Sequence, residues 1–139
     1  MISYLRNNEV DRERWDACLN EIQAVKPYAL SWYLDIMSPG WEALVDDDYY
    51  AVFPLPRQRK LGISYIATPL FLQQLGLFTA DGDRKRMAEE FISFMPGFCR
   101  LVDLCIGQEA SVPGYRLTPK YNYELKLDDP YEKLWINYM

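Results

Sequence analysis

Proline and glycine breaks cut this chain of 139 residues into short segments, which limits the length of every helix that it can form. Pro27 closes the first helical segment, Pro39-Gly40 ends the second, and Pro96-Gly97 stops the third. Because proline lacks a backbone donor and clashes with the preceding turn, a helix cannot run through these points. The sequence therefore predicts several short elements that share one core in a single domain.

The first three helices are each predicted from a capping residue followed by apolar residues at helical spacing. Asp11 caps the first helix, and Ser31 caps the second. Either Asp81 or Asp83 caps the third, which runs up to Pro96. The apolar positions of the first helix are Trp15, Cys18, Leu19, Ile22 and Val25.

A fourth helix is predicted to start at Asp128 or Asp129, with Pro130 in its first turn. Its apolar side consists of Tyr131, Leu134, Trp135 and Tyr138. No C-terminal capping signal accompanies Met139, so we expect the natural protein to continue past this residue.

The strands are predicted from alternating hydrophobicity and strand-forming residues. They cover residues 1–6, 41–45, 49–55, 62–67, 75–79, 101–106 and 121–127. The second and third form a hairpin around the turn Asp46-Asp47-Asp48, whereas the charged residues 57–61 are predicted as a turn and residues 108–120 as a loop. This order predicts an α+β fold with a mixed, mainly antiparallel twisted sheet and helices packed on its faces.

Charge and cysteine content exclude several classes of partner. The net charge of −5 would repel the phosphates of nucleic acids and anionic lipid headgroups, so neither is expected to bind this chain alone. Two short basic clusters, residues 57–60 and 84–86, are predicted to mark solvated surface. The three cysteines form no C-x-x-C pair, and no stretch approaches the roughly 20 apolar residues of a membrane span. A cytoplasmic protein without membrane contact is expected.

The residues that usually carry catalysis are missing. The chain has no histidine, which excludes Ser-His and Cys-His nucleophile arrangements and makes a zinc site improbable. The run Asp46-Asp47-Asp48 is the densest group of carboxylates, and a turn explains it better than acid–base chemistry does. Cys99 and Cys105 are expected to be small buried hydrophobes and not nucleophiles. We therefore predict no catalytic residue and no metal ligand in this chain.

One hexapeptide approaches a cofactor-binding loop. The segment Arg59-Lys60-Leu61-Gly62-Ile63-Ser64 is close to the pattern R/Q-x-x-G-x-G/A, with which GNAT acetyltransferases hold the pyrophosphate of coenzyme A. Ser64 replaces the last small residue, and a predicted strand follows where a helix N-terminus is needed to face the phosphates. The match is interpreted as chance, and no cofactor site is predicted.

The most distinctive segment, residues 67–78, carries two adjacent amides, Gln73 and Gln74, beside an aromatic-rich loop. Such amides can hydrogen-bond a substrate in an apolar setting. They can equally satisfy backbone groups of the loop itself, and the sequence leaves both interpretations open.

Four stretches together resemble a known family. They are Tyr28-Ala29-Leu30-Ser31-Trp32-Tyr33-Leu34-Asp35, Trp41-Glu42-Ala43-Leu44-Val45, Val52-Phe53-Pro54-Leu55-Pro56 and Gln73-Gln74-Leu75-Gly76. The chain resembles the first half of bacterial acyltransferase-like proteins related to the Fem peptidoglycan-bridge aminoacyl transferases and the wider GNAT superfamily.

The resemblance implies two GNAT-like domains that lie side by side and have different functions. Residues 1–139 would be the N-terminal domain, without catalytic residues, and a second GNAT-like domain would hold the donor, an acyl-CoA or an aminoacyl-tRNA. The acceptor, a small-molecule or peptide amine, would bind in a groove between the domains. The residues expected to line that groove are Tyr33, Tyr65, Phe71, Gln73 and Gln74.

A second hypothesis needs no chemistry at all. The same aromatic residues would serve a binding or protein-interaction module without enzymatic activity, and the missing histidines and motifs agree with it equally well. A second acyltransferase-like half encoded after Met139 would discriminate between the two hypotheses.

Overall fold

The computed structural model describes residues 1–22, 26–46, 48–80, 82–122 and 128–138, and the side chains of residues 137 and 138 are left aside. Within these residues the chain forms four α-helices and seven short strands. In chain order they are β1 (Ile2–Leu5), α1 (Arg12–Asn20), α2 (Ser31–Met37), β2 (Glu42–Asp46), β3 (Ala51–Leu55), β4 (Arg57–Lys60), β5 (Ile63–Ala67), β6 (Phe78–Thr79), α3 (Arg84–Ser93), β7 (Val102–Asp103) and α4 (Tyr131–Tyr138).

The first sheet is antiparallel, with strand order β1-β2-β3-β6. Its centre is the predicted hairpin of β2 and β3, in which Leu44 is paired with Phe53. Side chains on its two faces belong to two separate hydrophobic clusters: Ala43 and Val45 contact residues of α1 and α2, whereas Leu44 and Phe53 contact residues of α3. Helices therefore cover both faces, and the α+β prediction with an antiparallel sheet is confirmed.

The second sheet has the order β4-β5-β7, and it corrects two predictions. The described strands form two sheets and not the single sheet that the sequence predicts. Residues 57–60 are not a turn but a strand, paired antiparallel with β5. The turn lies instead at Leu61 and Gly62, which both have a positive φ, as a tight hairpin turn requires. The charged residues are tolerated because β4 is an edge strand whose end, Arg59 and Lys60, faces water.

Two parallel contacts make the β structure mixed. Strand β5 is paired in parallel with β7, and Leu75 is bridged in parallel to Ile106. Both strands predicted around these contacts are shorter than expected: only residues 78–79 of 75–79, and only residues 102–103 of 101–106, are strand. Side chains replace part of the ladder, since the Thr68 hydroxyl accepts the backbone N–H of Cys105.

The helices agree with prediction except at one cap. Asp11 accepts the backbone N–H of Arg14 at the start of α1, and Asp83 accepts that of Arg86 at the start of α3. Ser31 was the wrong cap for α2, because it is the first helical residue. Asp16 of α1 caps α2 instead, because its carboxylate accepts both the Ser31 backbone N–H and the Ser31 hydroxyl. The predicted positions Val25, Asp47 and Asp81 lie outside the described residues.

The C-terminal part contains the predicted loop and the predicted last helix. Residues 108–120 form no helix or strand, and the core of the strand predicted at 121–127 lies outside the described residues. Helix α4 begins at Tyr131, whose ring stacks on that of Trp135 at 6.0 Å between centroids. Both rings are largely exposed to solvent. None of the helices in the described ranges is both long and apolar enough to span a bilayer.

Candidate functional site

Two of the five predicted groove residues are in contact with each other. The hydroxyl of Tyr33, on α2, donates a hydrogen bond to the backbone carbonyl of Phe71 at 3.1 Å. Phe71 itself has a positive φ of 70°, and its ring is 79% exposed. A bulky residue in this conformation is uncommon and needs support from its surroundings. The Tyr33 hydrogen bond supplies such support, so this pair has a structural role.

The other three predicted residues are separated. Tyr65 lies on β5 in the second sheet and donates its hydroxyl to the side-chain oxygen of Gln58 at 2.8 Å. Gln73 is exposed, whereas Gln74 is half-buried and lines a cavity. None of Tyr33, Tyr65, Phe71 and Gln73 lines this cavity. The structure therefore brings Tyr33 and Phe71 together and places Gln74 in a different site.

The cavity at Gln74 lies between five parts of the chain: Ile22 after α1, the 26–28 turn, the segment 74–79, the first residue of α3, and the pair Gly107 and Gln108. Its volume is about 160 Å³. At roughly 30 Å³ for each water molecule, that is space for about five waters. Sites for drug-sized ligands are larger, about 300–1,000 Å³, so only a small molecule or one chemical group of a larger molecule fits here.

The wall formed by segment 74–79 is held by paired backbone and side-chain contacts. The Leu77 N–H donates to Oε1 of Gln108 at 3.2 Å, and Nε2 of Gln108 donates to the Leu77 carbonyl at 2.6 Å. A Cβ on Gly76, whose φ is +110°, would lie 2.5 Å from that same Gln108 oxygen. Glycine is thus required at position 76 for this approach. The site has a defined shape on this side.

The cavity's polar groups favour a negatively charged ligand. Lys26 and Arg84 both line it, and no lining residue within the described ranges carries a carboxylate. Neither the Gln74 amide nor the Arg84 guanidinium forms a hydrogen bond or an ion pair with a described residue. The aliphatic side chains of Ile22, Leu75 and Leu77 complete the lining. The sequence predicts Gln74 as a groove residue and Arg84 as solvated surface, and Arg84 is exposed while it also lines the cavity.

A second polar cluster joins the two sheets and was missed at the level of sequence. Glu42 on β2 is buried, and its Oε1 accepts a hydrogen bond from Arg57 on β4 at 2.7 Å. Its Oε2 is buried without a hydrogen-bond partner among the residues that the structure describes. Arg57 also donates to the Ser64 hydroxyl and lies 4.6 Å from the centroid of the Phe98 ring. The sequence did contain a signal for this cluster, because a glutamate within an apolar strand indicates a buried charge that needs a partner.

Burial raises the pKa of Tyr4 and Cys99, which lie near this cluster, and of Cys18, which lies in the hydrophobic cluster on the other face of the first sheet. Desolvation and the nearby Glu42 carboxylate raise the pKa of the Tyr4 phenol. Desolvation also raises the pKa of the Cys99 thiol, and it raises that of the Cys18 thiol to about 11. Both thiols are protonated at neutral pH, and a thiol is a poor nucleophile. These two thiols therefore offer no activated nucleophile. The prediction that Cys99 and Cys105 are buried hydrophobes is corrected, because both are half-buried and the Lys120 ammonium donates to Sγ of Cys105 at 3.4 Å.

The remaining candidates for chemistry have structural explanations. Residues 59–64 lie on the β4–β5 hairpin, and a strand follows them instead of a helix N-terminus. Asp46 accepts the backbone N–H groups of Tyr50 and Ala51, which is the turn role that the sequence predicts. In the described ranges no group of three or more acidic, cysteine or histidine side chains is arranged to hold a metal ion.

A smaller cavity of about 100 Å³ lies on the other face of the first sheet, next to α3. Phe53, Ile92 and Met95 form its apolar side, and Tyr115 and Arg116 come from the long loop.

Comparisons of the chain with protein-family models, with curated proteins and with solved structures found no match. The function is therefore inferred from the geometry of the cavity at Gln74.

Proposed function

We propose that this chain is the N-terminal, non-catalytic half of a two-domain N-acyltransferase and that it forms one wall of the acceptor groove. The observation that carries the proposal is the position of Gln74, which the sequence predicts to contact the acceptor. It lines a small cavity together with two cationic side chains, Lys26 and Arg84. The α+β architecture, in which helices cover both faces of the antiparallel sheet, is compatible with a GNAT-like domain.

In this proposal the donor binds outside the chain. A coenzyme A pyrophosphate needs backbone N–H groups that open onto a helix N-terminus, and the hairpin at residues 59–64 has no helix after it. A second GNAT-like domain would therefore bind the acyl-CoA or aminoacyl-tRNA and carry out the transfer.

The expected compartment is the cytoplasm. Cys18, Cys99 and Cys105 are all free thiols. Free and partly buried thiols agree with a reducing environment, in which disulfides do not persist.

Calorimetric titration with acetyl-CoA and coenzyme A tests the division between donor and acceptor domains. The titration compares the 139-residue chain with the same chain extended by the sequence encoded after Met139. We expect the extended protein to bind acetyl-CoA at least about tenfold more tightly, because the donor site lies in the added domain. Equally tight binding by both forms would place the donor site within residues 1–139 and contradict the proposal.

One observation favours the alternative, a module that only binds another protein. The stacked rings of Tyr131 and Trp135 on α4 are 69% and 54% exposed, and Ile136 on the same helix is 69% exposed. Exposed aromatic groups of this kind are typical of interaction surfaces. This alternative predicts no acetyl-CoA binding by the extended protein, so the same titration separates the two functions.

A further inference from the structure

We infer that the cavity at Gln74 binds an oxyanion, namely a carboxylate or phosphate group. The assignment of this anion to the acceptor rests on the proposed function, whereas the site itself does not. Arg84 and Gln74 carry the inference, and Lys26, which already has an interaction partner, lines the cavity beside them. They come from three separate parts of the chain, and the fold brings them to one cavity.

Charge is the first argument. The whole chain has a net charge of −5, yet the described residues that line this cavity include two cations, Lys26 and Arg84, and no carboxylate. Lys26 already has an interaction partner, so the charge argument depends on Arg84. The nearest acidic residue along the chain from Arg84 is Asp83, whose carboxylate is directed to Arg86, with an Asp83–Arg86 distance of 3.0 Å. It also caps α3. Arg84 is exposed and has no ion pair with any described residue, so its guanidinium can pair with an anion in the cavity.

Donor geometry is the second argument. A guanidinium presents several N–H groups in a plane, which suits the two oxygens of a carboxylate or two oxygens of a phosphate. The Gln74 amide adds an N–H₂ donor and is half-buried without a hydrogen bond to the described residues. Gln108 does not compete for the ligand, because its amide is bonded to the Leu77 backbone at both ends.

Size is the third argument. A volume of about 160 Å³ admits one oxyanion group with a few waters but excludes a nucleotide or a complete peptide. Leu75, Leu77 and Ile22 provide an apolar wall on which charge–charge attraction is screened less than in open water. The cavity therefore suits the charged end of a molecule whose remainder lies outside.

Binding of inorganic phosphate and of acetate to the whole 139-residue chain tests this inference by calorimetry at low ionic strength. We expect saturable binding of at least one of the two ions, and the stronger ligand identifies the preferred group. Arg84→Gln should weaken that binding by about tenfold. The matched control is Lys85→Gln, which removes the same charge from the next, exposed residue of α3 and should leave the affinity within about twofold.

The second pair of variants is Gln74→Ala and Gln73→Ala. The adjacent Gln73 is exposed and does not line the cavity, so only Gln74→Ala should weaken anion binding. Unfolding midpoints verify that all four variants are folded. Equal weakening by Arg84→Gln and Lys85→Gln, or no saturable binding of either ion, overturns the inference. Neither result affects the acetyl-CoA titration, so the anion site and the proposed function fail independently.

Discussion

The contact between Glu42 and Arg57 shows how a single pair of side chains connects the two sheets. Glu42 lies on β2 and Arg57 on β4, and the pair is backed by Ser64 and the Phe98 ring. Glu42 is buried whereas about a third of the Arg57 side chain is exposed, so removing Arg57 would leave the buried Glu42 carboxylate uncompensated and destabilise the fold. The pair is therefore part of the architecture, and it lies away from the cavity at Gln74.

Tyr4 makes the stability of the protein depend on pH in the alkaline range. Its pKa is raised in the folded state, while an unfolded tyrosine titrates near pH 10, so the folded protein retains a proton that the unfolded chain loses. The free energy of unfolding should then fall as the pH rises past about 10. In Tyr4→Phe this decrease should be smaller, as measured by urea unfolding between about pH 9 and pH 11.

Tyr121→Phe is the matched control for this measurement. Tyr121 is 93% exposed, so its removal should leave the pH dependence of the wild-type protein unchanged. A Tyr4→Phe curve parallel to that of the wild type would show that the Tyr4 phenol titrates normally in the folded state.

Sequence reasoning identified some of these residues and missed others for a clear physical reason. Gln74 was predictable, because an amide in an apolar segment is unusual locally. The position of Arg84 at the cavity was not predictable, because three basic residues in succession, 84–86, look equivalent in the sequence and all three are exposed. Only the fold around α3 places Arg84 at a cavity while Lys85 and Arg86 do not line it.

At the scale of elements, the start of α2 depends on α1. The Asp16 carboxylate accepts the Ser31 backbone N–H at 2.8 Å and the Ser31 hydroxyl at 2.7 Å. A helix N-terminus normally receives such an acceptor from its own N-cap residue, which here is Leu30. The two helices are thus joined by a polar contact beside their shared apolar cluster.

Asp16→Ala should destabilise the protein by about 1–2 kcal/mol, because it leaves the first N–H of α2 without an acceptor. Ser31→Ala should cost less, since the Asp16 carboxylate can still accept the backbone N–H. Chemical unfolding of the two variants provides the comparison. A larger loss for Ser31→Ala than for Asp16→Ala would restore Ser31 as the cap.

Elements were predictable where the signal is local. Helices α1 and α3 have an aspartate cap and apolar residues at helical spacing, and the β2–β3 hairpin has alternating residues around an acidic turn. Strand β4 was missed because its four residues, Arg57-Gln58-Arg59-Lys60, are polar. Its strand conformation comes from pairing with β5, which a local pattern does not show.

At the scale of the whole molecule, the α+β class and the helices on both faces of the sheet followed from the order of elements. The grouping of the five groove residues did not follow. The segment between β5 and β6 is fixed by long-range contacts, such as the Leu75 N–H to the Cys105 carbonyl at 2.7 Å. These contacts turn Gln74 toward the cavity and leave Gln73 in solvent, a distinction that adjacent identical residues cannot reveal in a sequence.

We propose that this chain binds its ligand at the cavity next to Gln74. The most direct measurement is a two-dimensional ¹⁵N–¹H NMR titration of the 139-residue chain with inorganic phosphate. We predict that the largest shift changes occur at Gln74, Leu77 and Gly107 and at the start of α3. Largest changes at the β4–β5 hairpin, residues 57–62, would contradict the account and restore that hairpin as the phosphate-binding element.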